Sequence, residues 1–320
     1  SYLENVSEKS NGKIIKKDMI GTLWSDLSWS SVSTEGGITY PNGKKPIELI
    51  KRMLVLTSSD IKDDIILDFF AGSGSTAHAV MDLNAIDFGK RKSVSIQIDE
   101  LISIKDKKEY YSETDFKVIF DITKERLIRS ANKIKENVAE KIQLKEIEIK
   151  TLQGKLDLED KSKKIKQLQA EIKSLREQDL GFKIFETTPL WEDYNFEAEK
   201  FDSTQTLFDA GKLSKDDIKS LLITWKTYDG IALTHDLESI DLEGYTAYYG
   251  GGTLYLMDKD FSSTNLKALL TMIDTEHSFS PSSIICFGYH FESARIRELA
   301  ENIKSYSNKK NIDIDFVTRY

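Results

Sequence analysis

The stretch "IILDFFAGSGSTAHAV" (residues 65–80) constrains the chain more than any other part of it. A short apolar run closes on Asp68, passes through Gly72 and Gly74, and resumes at Ser75 with small and apolar residues at helical spacing. The first run is too short for a helix and too apolar for a loop, so it reads as a buried strand. Glycine reaches positive φ at little cost and lets a ligand approach the backbone. A helix opening at Ser75 presents unpaired N–H groups and the positive end of its dipole to an anion. The Asp68 carboxylate faces the same crevice and favours a cation. With "SVSIQIDE" (93–100) as a second strand, these pieces make one βαβ unit and predict a parallel sheet.

A ligand carrying one carboxylate, one ammonium and an adenosine suits that crevice, and S-adenosylmethionine is such a ligand. A phosphate-binding P-loop needs a lysine after its last glycine, and none follows Gly74. A dinucleotide fingerprint tolerates Ala77 at its third glycine, but the strand–Asp–turn order is wrong for a pyrophosphate. A nicotinamide-dependent oxidoreductase is therefore a poor fit. Taken alone, two glycines also suit a tight βα loop that binds nothing.

The rest of the chain falls into three segments. Within residues 1–118, "GTLWSDLSWSSVSTEGGITYPNG" reads as an irregular loop, and "KPIELIKRMLVLTS" as a helix with Pro46 in its first turn. Residues 119–179 are rich in Lys, Glu, Leu and Ile, with Gly154 as their one glycine. Ile165, Leu168, Ile172 and Leu175 repeat at spacings of 3, 4 and 3, and Ile142, Ile149, Leu152 and Leu156 at 7, 3 and 4. Such heptad intervals predict two long helices folded back near 153–160 as an antiparallel hairpin. Residues 180–320 return to mixed α/β, with strands expected at "GFKIFE", "YTAYYGG", "TLYLMD", "SIICFGY" and "IDIDFVTRY". Helices are expected at "SKDDIKSLLITWK", "STNLKALLTMI" and "SARIRELAENIKSY", with Ser214 and Ser263 as caps, and a turn between antiparallel strands at "GGGTLYL".

Charge separates these segments further. Residues 180–320 carry 23 acidic and 14 basic side chains, against 30 and 31 in residues 1–179. The acidic part would repel DNA, so a protein partner suits it better. Cys286 is the single cysteine and has no partner for a disulfide, which implies a reducing, cytoplasmic setting. No apolar run approaches the roughly 20 residues of a membrane helix. The opening "SYLENVSEKSNG" is not a signal peptide, and it lacks an initiator Met. The four histidines, His78, His235, His277 and His290, show no metal-ligand spacing; His78 reads as a packed or solvent-facing residue.

"DFFAGSGST" resembles the cofactor motif Asp-x-Phe-x-Gly-Ser-Gly of amino-methyltransferases that act on DNA bases. "GKKPIELIKRML" is similar to the Lys-Pro helix that precedes it in the permuted β-group, and "NAIDFGKRKSVSIQIDE" to the segment that follows. "DITKERLIRSANKI" (121–134) and "DLGFKIF" (179–185) point to one branch, the modification subunit of type III restriction–modification systems. The resemblance runs from about Gly21 to the C-terminus and is weakest in the middle of the helical hairpin.

The resemblance implies part of a Rossmann-like, S-adenosylmethionine-dependent methyltransferase sheet, then a long helical hairpin, then a small C-terminal α/β domain. Asp68 would meet the methionine ammonium. Phe70, Ala71, Gly72 and Gly74 would line the cofactor, with Ser75 and Thr76 holding its carboxylate. Lys45 and Pro46 would fix the preceding helix, and Gln97, or failing it Glu100, would contact the ribose. The whole subunit would transfer methyl to adenine N6 in double-stranded DNA, pair with a restriction (helicase–nuclease) partner and form a homodimer. The helical hairpin and the acidic C-terminal part are where those protein contacts are expected.

The family's Asp-Pro-Pro-Tyr motif does not occur here: the prolines are Pro41, Pro46, Pro189 and Pro281. In the permuted group that motif and the recognition segment come first, so they are expected before residue 1. Residues 1–320 alone should then be inactive, and "DIILDFF" should show an apolar, unpaired edge. The competing expectation is a non-catalytic assembly scaffold with a degenerate methyltransferase fold.

Overall fold

The structure, a computed structural model, describes residues 7–10, 13–16, 23–30, 32–40, 44–59, 61–112, 114–154, 159–189, 191 and 210–320. Two compact units emerge, Ser1–Phe182 and Lys183–Tyr320.

In the first unit a short antiparallel pair, β1 (Ser7–Ser10) and β2 (Lys13–Lys16), precedes α1 (Ile47–Thr57). Pro46 stands at the N-cap of α1, where its missing N–H costs nothing. Then come β3 (Ile65–Asp68), α2 (Ser75–Asp87) and β4 (Lys92–Ser95). β3 and β4 are parallel, with Asp68 opposite Ser95. Ile47 and Leu54 of α1 pack on Ala79, Val80 and Leu83 of α2, with Ile66 of β3 beneath them. The opposite face of the strand pair is open: Ile65, Leu67, Val94 and Ile96 are each at least 44% exposed. Among the described residues no strand pairs with the far edge of β3.

α3 (Ile104–Tyr110) is capped by Ser103, whose hydroxyl accepts the Asp106 N–H. It leads to α4 (Ile119–Gln153), a 35-residue helix whose start is held by the Asp121 carboxylate, which accepts the Lys117 and Val118 N–H groups. Ile134 and Val138 of α4 pack against Leu175 of α5 (Glu159–Arg176), beside Met81 and Ala85 of α2. Lys145–Glu171, Glu146–Arg176 and Glu148–Lys164 are ion pairs between α4 and α5. Leu168, Ile172 and Leu175 of the heptad seam are buried. Within the reversal expected near 153–160, residues 155–158, with Leu156, lie outside the described residues.

Two expectations for this unit need correction. β4 ends at Ser95, shorter than the strand expected over 93–100, because the opposing chain leaves the ladder after Asp68 to form the glycine turn. Residues 32–37, expected as irregular loop, form short 3₁₀ turns broken at Glu35 and at Gly36 (φ +79°).

The second unit is a five-stranded sheet in sequence order: β5 (Glu238–Leu242), β6 (Tyr245–Gly250), β7 (Thr253–Leu256), β8 (Ser283–Phe287) and β9 (Asp315–Arg319). β5, β6 and β7 run antiparallel; β7, β8 and β9 run parallel. Parallel neighbours need crossovers, supplied by α7 (Ser263–Thr275) and α8 (Ser293–Lys310), while α6 (Lys215–Tyr228) precedes the sheet. Side-chain alternation splits the core. Leu254, Leu256, Ile284 and Cys286 join Leu266, Leu269, Leu299 and Ile303 of α7 and α8. Tyr255, Met257, Ile285 and Phe287 join Leu221, Leu222 and Trp225 of α6. Runs buried on both faces are what a covered sheet requires.

The Gly-Gly turn joins β6 to β7 as expected, and Ser214 caps α6 through the Asp217 N–H. The α7 cap is Ser262 rather than Ser263: its hydroxyl accepts the Asn265 N–H, and the Asn265 side chain answers its own N–H. "GFKIFE" is not a strand. Its amides find no ladder; the Gly181 N–H bonds the Asp179 carboxylate at 3.0 Å instead. β5, "ESIDL", is a strand that the sequence pattern did not reveal.

Candidate functional site

β3 delivers Asp68 to the mouth of the glycine turn. Its Oδ1 accepts the Phe70 N–H at 3.1 Å, and its Oδ2 makes no hydrogen bond among the described residues. The turn is pinned to the segment after β4: the Ala71 N–H reaches the Ile96 carbonyl at 3.1 Å, and the Gly72 N–H reaches Gln97 Oε1 at 2.8 Å. Gly72 (φ +52°) and Gly74 (φ +75°) occupy the left-handed region that disfavours side chains. Gly74 is the N-cap of α2, and no side chain caps that helix. The N–H groups of its first turn therefore remain for an anion. A Cβ at Gly74 would also sit 3.1 Å from Thr123 Cγ2, so α4 packs directly on the turn.

Most of the expected residues converge here. Asp68, Phe70, Ala71, Gly72, Gly74, Ser75, Thr76 and Gln97 surround one turn, with Phe70 85% exposed at its rim. Ser75 is buried and its hydroxyl is engaged by Arg126. Gln97 lies two residues past β4, and both ends of its amide are taken, by the Gly72 N–H and by the Ile98 carbonyl at 3.1 Å. Glu100 has an exposed carboxylate without a described partner. It lines a cleft of about 210 Å³ with Tyr40, Ser103, Asp106 and Tyr111. Tyr40 connects the two places, since its hydroxyl lies 3.9 Å from where a Gly72 Cβ would stand. Burial, and then the Glu100 and Asp106 charges, raise the Tyr40 pKa.

Lys45 and Pro46 stand at the head of α1, away from these hydrogen bonds; Lys45 is exposed and Pro46 buried. The buried lysine is its neighbour. Lys44 Nζ donates to the Ser33 and Ile38 carbonyls at 2.9 and 2.8 Å, and burial, reinforced by the Arg126 charge, lowers its pKa to about 8.

Sequence reading missed the layer behind the turn. Arg126, on α4, is fully buried. Its Nη1 donates to Ser73 Oγ and Ser75 Oγ, both at 2.9 Å, and its Nε to His78 Nδ1 at 3.3 Å. Thr123, one helical turn earlier, donates to the Gly72 carbonyl. Burial, helped by the Arg126 charge, drives the His78 pKa down to about 3, so the ring is neutral and Nδ1 can accept. A signal was available: Arg126 falls at helical spacing on the stripe formed by Ile122, Ser130, Ala131 and Ile134, where a solvated arginine does not belong.

Taken together, the arrangement offers a free carboxylate oxygen, an uncapped helix N-terminus and an adjoining cleft. Comparison with known proteins agrees on the kind of protein. Residues 2–114 match the DNA methylase family, and residues 216–312 match the Type III R-M EcoP15I C-terminal domain. The Type III restriction-modification enzyme EcoPI Mod subunit of Escherichia phage P1 is 37% identical over 303 residues, covering 92% of this chain and 40% of that protein. The EcoP15I Mod subunit of Escherichia coli is 34% identical over 275 residues, covering 86% of this chain and 35% of its own length. The Type II methyltransferase M.KpnI of Klebsiella pneumoniae is 36% identical over 130 residues, 39% of this chain and 29% of that protein. Matched at both ends and along nearly its whole length, the chain is a homologue of the Mod subunits of type III restriction–modification enzymes, and it spans about two fifths of the length of those it matches.

Proposed function

We propose that this chain is the cofactor-binding and C-terminal portion of a DNA adenine N6-methyltransferase. The observation that carries the reading is the glycine turn: a free Asp68 carboxylate oxygen and uncapped α2 N–H groups stand at its two ends, within the residues that match a DNA methylase. This donor set suits S-adenosylmethionine, which supplies the methyl group when bound. Asp68 would take its ammonium, and the Ser75 and Thr76 N–H groups its carboxylate. Phe70, Ala71, Gly72 and Gly74 would line its path. For the ribose we favour Glu100 over Gln97, because the Gln97 amide is already committed to the turn while the Glu100 carboxylate is free in the adjoining cleft.

In this reading β3 and β4 belong to a Rossmann-like sheet, residues 1–118 form the cofactor part, 119–179 a helical hairpin and 180–320 an interaction domain. The Asp-Pro-Pro-Tyr motif does not occur in residues 1–320, so base binding and methyl transfer belong to the whole protein. That protein would act on double-stranded DNA with a restriction subunit, as a homodimer. The hairpin and the acidic domain are the surfaces we assign to protein contacts.

Calorimetric titration with S-adenosylmethionine tests the reading. The whole protein should bind it, Asp68→Ala should lose binding about tenfold or more, as expected for a hydrogen bond to a charged group, and Glu100→Ala should weaken it more than Gln97→Ala. A folded whole protein that binds no cofactor would mean a scaffold that keeps only the shape of a methyltransferase.

A further inference from the structure

Arg126 is the one guanidinium among the described residues that solvent does not reach at all, and its partners are not a matched set of charges. Two are serine hydroxyls, one is a neutral imidazole, and Nη2 makes no hydrogen bond, facing Glu35 Oε2 only at 3.7 Å. A buried cation so incompletely paired does not fully recover its cost of desolvation. Its placement points to another use. Ser73 and Ser75 flank Gly74, the N-cap of α2, so the guanidinium lies at the helix end whose N–H groups no side chain caps. Positive charge there opposes the α2 dipole and weakens folding, but it adds to the attraction felt by an anion in front. Gly36 makes room for it: with φ +79°, a Cβ at this position would stand 2.7 Å from Arg126 Nε. Glu35 in turn accepts the Ile47 N–H at 3.0 Å, which ties α1 into the same cluster.

We propose that Arg126 is a positioning residue for the cofactor's carboxylate, holding Ser73 and Ser75 at the α2 N-terminus and supplying a fixed positive charge behind it that favours that carboxylate. The inference rests on the reading of the glycine turn as an S-adenosylmethionine site. Arg126 touches no ligand atom in this scheme; it acts through the two serines, as a second layer supports a first.

The test compares two ligands on the whole protein by calorimetry: S-adenosylmethionine, and its decarboxylated form, which keeps the sulfonium, amine and adenosine. Arg126→Met should weaken S-adenosylmethionine about tenfold or more and leave the decarboxylated ligand within about twofold, with Arg126→Lys partly restoring the difference. Ser73→Ala/Ser75→Ala asks the same question if Arg126→Met does not fold, and should show the same selectivity in smaller degree. Equal weakening of both ligands by these variants, or of neither, overturns the positioning role while the cofactor site stands. Wild-type protein that binds neither ligand overturns the site and this inference together.

Discussion

At the scale of single residues, the parts that face a ligand are local in sequence and the parts that support them are not. Asp68 and the two glycines lie within seven residues, and a strand followed by a glycine turn and a helix is readable from such a window. Arg126 is about fifty residues from the serines it bonds, and nothing in a local window pairs them. Two predictions belong here. Gly74→Ala adds a Cβ in the left-handed region against Thr123 and should lower stability by about 1–2 kcal/mol, read from urea midpoints. His78 is neutral and buried in the fold with a pKa of about 3, while an unfolded histidine titrates near 6.5. Between those values the unfolded state binds more protons, so stability should fall as pH drops from about 6.5 to 3, by at most roughly 1.4 kcal/mol per pH unit from this group. His78→Gln should flatten that part of the urea-midpoint profile; an unchanged slope would remove His78 as its source.

At the scale of elements, periodicity served best where the chain pairs with itself. Of the residues in the predicted heptads, Leu168, Ile172 and Leu175 are buried, whereas Ile142, Ile149, Leu152 and Ile165 are half-buried and the α4 residues packed on Leu175 are Ile134 and Val138. The alternation in "GFKIFE" misled because a strand is a property of two segments, and this one pairs with no strand among the described residues. β5 escaped notice for the converse reason: Ile240 and Leu242 are too few to mark a strand until β6 gives them a ladder. Leu175→Ala should cost about 2–5 kcal/mol and speed hydrogen exchange along α5. Lys164→Ala, which removes only a half-exposed pair with Glu148, should change stability by less than about 1 kcal/mol. Replacing residues 146–170 with a short turn closes the seam at the Lys145–Glu171 pair. If the hairpin is a partner surface, this variant should bind cofactor normally yet fail to co-purify with the restriction subunit. Intact assembly would move that surface elsewhere.

At the scale of the whole molecule, the two units differ in how completely they enclose their apolar surface. Lys183–Tyr320 covers both faces of its sheet with its own helices. Expressed alone it should unfold in one cooperative transition followed by circular dichroism, and a broad, gradual melt would show that it needs the rest of the chain. Ser1–Phe182 leaves one side of β3 and β4 open, with Phe69 and Phe70 beside it. Apolar surface of this kind marks an interaction face or an aggregation hazard.

The sealed guanidinium also bears on how such a protein can change over generations. Arginine at 126 requires glycine at 36, small hydroxyl side chains at 73 and 75, and an acceptor at 78. No one of these positions is free to drift while the others stay. Among relatives the five should be kept or replaced as a block, and a lineage with a bulky residue at 36 should have lost the arginine as well. Positions 126 and 73 lie far apart on the chain, yet they should share a substitution history that neighbours such as Lys124 and Glu125 do not.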